Sequence, residues 1–122
     1  MDSLPRMLTG IIPDRELTIV SIESDQHAVR VRYRVCPPFP EDRGIGNGDL
    51  SWRFVHWQID LADDIGTQYA QAGGAAGLDG GVRSLTPPLP SVASELRLCI
   101  RPYRAETPSY TILVSAGDIL QD

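Results

Sequence analysis

The sequence has no lysine: all 11 basic residues are arginine, set against 16 acidic residues and a net charge of −5. That balance excludes non-specific nucleic-acid binding through overall charge. It leaves room for a local basic face, on which arginine forks would hold anions better than lysine. Codon bias explains the missing lysine without any function.

Histidine and cysteine are equally scarce, at two each. A nucleophilic triad needs a Ser or Cys, a His and a carboxylate brought together. With His27 in a turn and His56 in a strand, neither Cys36 nor Cys99 has an obvious base, so the chain reads as non-enzymatic, with no catalytic residue. A zinc site normally shows a close pair such as Cys-x-x-Cys. None is present, and neither a metal nor a cofactor is expected. The glycine-rich stretch 73–81 lacks a P-loop lysine and a strand-to-helix setting.

No segment approaches 18 apolar residues, and the start, Met-Asp-Ser-Leu-Pro-Arg-Met-Leu, has no basic region followed by a long apolar run. Neither a signal peptide nor a membrane span is expected. The corresponding expectations are a cytoplasmic location and a protein partner or homodimer, with no nucleic acid and no membrane.

What is present is 122 residues with 42% hydrophobic and 22% charged content, ordinary for one globular domain. Its clearest stretch is Ala28 to Cys36, where Val29, Val31, Tyr33 and Val35 alternate with Arg30, Arg32 and Arg34. A period of two means a strand with one buried face. That face needs a covering layer, and the remaining segments supply short strands separated by turns. The fold expected is all-β, a sandwich of about seven antiparallel strands.

Residues 1–15 carry Pro5, Gly10 and Pro13 and read as an arm lying on the sandwich domain, which spans 16–117 and is followed by a tail, 118–122. Glu16 to Glu23 is the first strand. If its turn closes with Glu23 opposite Ala28, then Thr18, Val20 and Ile22 point inward while Leu17 and Ile19 are left outside. Residues 37–50 form a long connection without periodicity. Ser51 to Asp60 is a strand with Val55, Trp57 and Ile59 inward. A turn at Asp63-Asp64-Ile65-Gly66 leads to a short strand, Thr67 to Gln71. Residues 73–81, with five glycines, read as a flexible loop. Val82 to Thr86, a proline-rich crossover at 87–90, Glu95 to Tyr103 and Ser109 to Ser115 complete the order. Val31, Tyr33, Trp57, Leu98 and Ile112 are the expected centre of the core.

The order of short strands, Trp57 on the third strand, the turn-and-strand Asp63-Asp64-Ile65-Gly66-Thr67-Gln68-Tyr69 and the proline-led Pro87 to Leu98 resemble immunoglobulin-like sandwiches among small uncharacterised bacterial proteins. The resemblance covers about residues 16–115 and is structural; it implies no activity. True immunoglobulin domains join two strands by an inward disulfide. Here Cys36 and Cys99 fall on the outward, arginine phase of strands in different sheets, so free thiols are expected.

Two surfaces are candidates for binding. Trp52, Phe54 and His56 fall on the solvent phase of the third strand, and aromatics so placed suggest a partner interface, with Arg97 and Arg101 on the sixth strand as its polar rim. Cover by the arm is the competing account. The other candidate is a small-ligand or anion site on Arg30, Arg32 and Arg34, or at the glycine-rich loop end. Asp25, Asp60, Asp63, Asp64 and Asp118 gather acidic oxygens of the kind calcium uses. Turn formation and solvation are the blander account of them, and the preferred one.

Overall fold

The computed structural model describes residues 3–12, 15–37, 57–77, 79–102 and 110–121. These form nine strands: β1 (Arg6–Ile12), β2 (Arg15–Ser24), β3 (Val29–Cys36), β4 (Trp57–Asp63), β5 (Ala70–Gly77), β6 (Gly80–Thr86), β7 (Glu95–Pro102), β8 (Tyr110–Ser115) and β9 (Leu120–Gln121). One 3-10 turn, Ala116–Asp118, precedes β9, and no α-helix occurs among the described residues.

The strands make two sheets. The larger runs β1-β2-β3-β6-β5, with β9 also pairing β2, and the smaller runs β4-β7-β8. All pairings are antiparallel except the two-residue contact of β9 with Glu23 and Ser24. The sheets share one core. Val29, Val31, Tyr33 and Val35 of β3 and Leu85 of β6 are buried with Ile59 of β4, Leu96, Leu98 and Ile100 of β7, and Ile112 and Val114 of β8. Alternation therefore gave the correct faces for β3 and β7, and Val31, Tyr33, Leu98 and, on β8, Ile112 lie in the core as expected. Val55 and the Trp57 side chain fall outside the described part of the chain.

The alternation misleads on β2. Ser24 to Ser21 pair in step with Val29 to Arg32, but Ile19 then meets Tyr33, which makes Val20 the extra residue of a bulge. A bulge shifts the phase of everything beyond it by one residue. So Ile22 points inward on one side of the bulge, and Ile19 and Leu17 point inward on the other, all at most 1% exposed. The expected outward placement of Leu17 and Ile19 is overturned for this reason.

Three further expectations change. Arg6–Ile12, expected to lie across the sandwich, instead pairs with β2 as a strand of the sheet, burying Leu8. The segment expected as a tail supplies β9, and the strand count rises accordingly. Thr67 to Tyr69 form no strand; β5 begins at Ala70 and runs on through the glycine-rich stretch as one arm of a hairpin with β6. Alanine and glycine have low strand propensity, so pairing rather than side-chain pattern decides this segment. Glycine is required where the backbones close in: a Cβ at Gly80 (φ +145°) would sit 2.3 Å from the Tyr33 carbonyl oxygen, and one at Gly74 (φ +150°) 2.2 Å from that of Val82.

The proline-rich crossover carries the chain from β6 in one sheet to β7 in the other. It is anchored by Leu89, itself buried, whose N–H donates to the Oγ of buried Ser24 at 3.0 Å. No helix among the described residues is long and apolar enough to cross a membrane.

Val31→Ala and Leu98→Ala should each cost about 2–4 kcal/mol in chemical denaturation, through lost burial and the cavity left behind. Arg32→Ala, which removes only an exposed pair with Glu23, should cost less than about 1 kcal/mol. Equal losses would show that the faces are misassigned.

Candidate functional site

On the outer face of the larger sheet, β3 presents a row of three arginines: Arg30 is half-buried, and Arg32 and Arg34 are exposed. Cross-strand register places small residues beside them. Arg34 is opposite Gly80 and Arg32 opposite Val82 on β6, which in turn face Gly77 and Ala75 on β5. Residues directly opposite in an antiparallel pair share a face. Two steps outward from Arg34 there is no side chain at all, and the sheet there is bare backbone. The result is a trough of about 700 Å³ lined by Val20, Arg32, Arg34, Cys36 and Asp79 around the glycine hairpin.

Two bulges flank this trough, one at Val20 in β2 and one between Gln71 and Gly74 in β5. Bulges concentrate at sheet edges and beside functional sites because they re-aim side chains. Here the first brings Val20 into the wall of the trough. At its end the Val35 N–H donates to the Asp79 carbonyl at 2.8 Å, which ties the hairpin turn to β3.

The three arginines differ in what neutralises them. Arg30 donates to the Asp25 carboxylate, which also accepts from the N–H groups of His27 (2.7 Å) and Ala28 (2.9 Å). The Arg30 bond, helped by these two, holds the Asp25 carboxyl well below the usual aspartate range. Arg32 donates through Nε to Glu23 at 3.2 Å. Arg34 has no carboxylate partner among the described residues, although Asp79 lies on the same trough.

On the inner side of the same hairpin, Arg83 is opposite Val31 and so lies on the core-facing phase. Its Nη2 donates to Gln71 at 3.4 Å, and the Gln71 amide donates to the Ile59 carbonyl at 2.7 Å. Ile59 belongs to β4, the edge of the other sheet, so this chain of bonds joins the two edges. The Arg83 Nε is buried without a hydrogen-bond partner. Burial pushes the Tyr33 hydroxyl up, against the opposing charge of Arg83.

The other sequence candidates divide. Trp52, Phe54 and His56 lie outside the described residues. Arg97 and Arg101 project from the outer face of the smaller sheet, on β7 next to β4, as the expected adjacency required. Arg101 contacts Asp60 at 3.3 Å. Cys36 and Cys99 are free, on different sheets. Cys36 ends β3 while His27 precedes it, so the two stand at opposite ends of that strand.

The acidic residues have local partners. Asp63 accepts from the Ile65 and Thr67 N–H groups and from the Tyr69 hydroxyl, at 2.9–3.1 Å. Burial raises its carboxyl pKa, but the bonds from Thr67, Tyr69 and Ile65 win and the net shift is downward. The Tyr69 hydroxyl is pushed up by burial and by Asp63. Asp64 accepts from the Ser94 hydroxyl and N–H, and its pKa falls to about 2. No three metal-ligating side chains cluster among the described residues.

Sequence reasoning named the arginines and the glycine-rich stretch, but took that stretch for a loop rather than a hairpin and did not single out Val20 or Asp79. The one signal for the hairpin was the dipeptide Asp79-Gly80, of a kind common at tight β-turns, although here Gly80 pairs with Gly77 and already belongs to β6. Comparison with family models, with curated proteins and with solved structures finds no match to this chain.

Because Asp64 titrates lower in the folded state than when unfolded, its contribution to stability is present at neutral pH. It declines below the ordinary aspartate value near roughly pH 4 and is lost as the pH falls through about 2. A carboxyl-carbon NMR titration should place the Asp64 midpoint there, and Ser94→Ala should raise it. A midpoint that ignores Ser94→Ala would count against this bond.

Proposed function

We propose that the chain is a non-enzymatic binding module on an immunoglobulin-like sandwich, and that it takes an anionic ligand in the trough beside Arg34. The observation that carries this is an exposed guanidinium, lacking a carboxylate partner among the described residues, set against a floor of bare glycine backbone. Guanidinium groups bind carboxylate and phosphate through paired hydrogen bonds. A concave site with a few placed polar groups is the form small-ligand sites usually take.

Support for the finer fold reading comes from strand order. Constant-type immunoglobulin domains arrange strands A-B-E-D in one sheet and C-F-G in the other. The order β2-β3-β6-β5 against β4-β7-β8 follows the same scheme, with β1 and β9 added. In that scheme the β5–β6 turn belongs to an end of the sandwich where loops carry recognition. The unbonded thiols fit a reducing compartment such as the cytoplasm.

A second reading, a protein-interaction or self-association module, is favoured by β5. It is the edge of its sheet, and residues 70–75 are all exposed and uncharged. Open edges of this kind accept a further strand. Arg97 and Arg101 remain the rim proposed for a contact on the opposite face.

The two readings separate in two measurements. Amide NMR titration with a panel of inorganic phosphate, acetate and octanoate should shift Gly77, Gly80 and Gly81 saturably for at least one anion. Arg34→Gln should weaken that binding roughly tenfold or more, as expected for loss of a charged hydrogen-bond pair. No saturable shift with any of the three would defeat the ligand reading. Sedimentation velocity tests the other: a dimer lost in Ala75→Arg would establish edge pairing, and a monomer at all concentrations would remove self-association.

A further inference from the structure

We infer that the ligand of the trough is a monoanionic carboxylate carrying an apolar body, a class narrower than the anion site on which this inference rests. The first argument is charge. Of the three β3 arginines, Arg34 alone lacks a carboxylate partner among the described residues, since Arg30 is held by Asp25 and Arg32 by Glu23. One guanidinium offers one positive charge and one planar fork, which matches a single carboxylate. Glu23 is offset by Arg32, and Asp79 at the end of the trough repels a second negative charge, so a phosphate dianion brings more charge than the one uncompensated guanidinium balances.

The second argument is the wall. Away from Arg34 and the paired Arg32, the open trough is walled by Val20, Val82 and Ala75 and floored by Gly77 and Gly80, with Cys36 and Asp79 also lining it. These walls and this floor supply no side-chain donor, and they gain only if apolar surface is laid on them. A ligand bound solely through its charged end would leave this surface wet. The volume, about 700 Å³, suits a molecule of many atoms rather than a bare ion. The polar end is placed by register: Arg34 stands beside Gly80 near the end of β3, so the carboxylate sits there and the body runs along the glycine floor toward Val82 and Ala75.

The experiment uses the intact chain and three probes, octanoate, acetate and inorganic phosphate, followed by amide NMR at constant ionic strength. Octanoate should bind at least tenfold more tightly than acetate, because several methylene groups become buried, and more tightly than phosphate. Its shifts should include Ala75 and Val82 as well as Gly80. Arg34→Gln should weaken octanoate at least tenfold. Gly77→Leu should block it: a Cβ there meets nothing closer than 3.6 Å, so the side chain can enter the trough without forcing the backbone. Arg6→Gln, on β1 at the opposite edge of the sheet, should leave binding unchanged, which controls for general charge.

If phosphate binds through Arg34 more tightly than octanoate, or if acetate and octanoate bind alike, the carboxylate-with-body assignment is overturned while the anion site stands. If no probe binds, or if binding ignores Arg34, both fall. Should Gly77→Leu fail to fold by its amide spectrum, the ratio of octanoate to acetate in the unaltered protein decides alone.

Discussion

β3 is hydrogen-bonded along both edges, to β2 on one side and β6 on the other, while Val29, Val31, Tyr33 and Val35 are buried against the opposite sheet. A strand held on three sides has no freedom in register, because a slip of one residue would turn four arginine-phase positions inward. Its outward residues inherit that rigidity. Arg30, Arg32 and Arg34 form a row whose backbone positions are set by apolar burial on the far side of the sheet, not by contacts of their own.

The hairpin beside β3 shows how a weak strand sequence is made to serve. Gly80 and Gly74 let the backbone approach neighbouring carbonyls more closely than any side chain would permit. Glycine in a strand ordinarily weakens it. Here the loss is offset by pairing with β3 and by the tie from Val35 to Asp79. The same substitution of backbone for side chains leaves the hollow beside Arg34. The trough is thus a consequence of how the sheet is closed on that side, and the ligand reading follows from which arginine that hollow adjoins.

Electrostatic pairing then sorts the surface. Most acidic groups that could have gathered a cation are held by a neighbour: Asp25 by Arg30, Asp60 by Arg101, Asp64 by Ser94. Asp63 closes the turn after β4 and receives the Tyr69 hydroxyl. Among the described residues Arg34, Arg83 and Arg97 have no ion pair with a carboxylate, and a site for an anion is sought at one of them. Arg34 is such a residue with a concave surface beside it.

The sequence by itself determined the faces of β3 and β7, since a strict alternation of apolar and polar residues has only one burial solution. It also determined the crossover at 87–90, where proline forbids a continuing strand, and the turn at Asp63 to Gly66. Tertiary structure alone decided the phase of β2 beyond Ile22. An added residue at Val20 is invisible in composition and becomes a bulge only because β3 opposite is one residue shorter over the same span. It also decided that residues 70–77 are a strand. Alanine and glycine carry no period, so their conformation is set by the hydrogen bonds β6 offers. Arg6–Ile12 and Leu120–Gln121 joined the larger sheet for the same reason: the edge of β2 had backbone groups to pair, and pairing depends on a neighbour that no local pattern reveals.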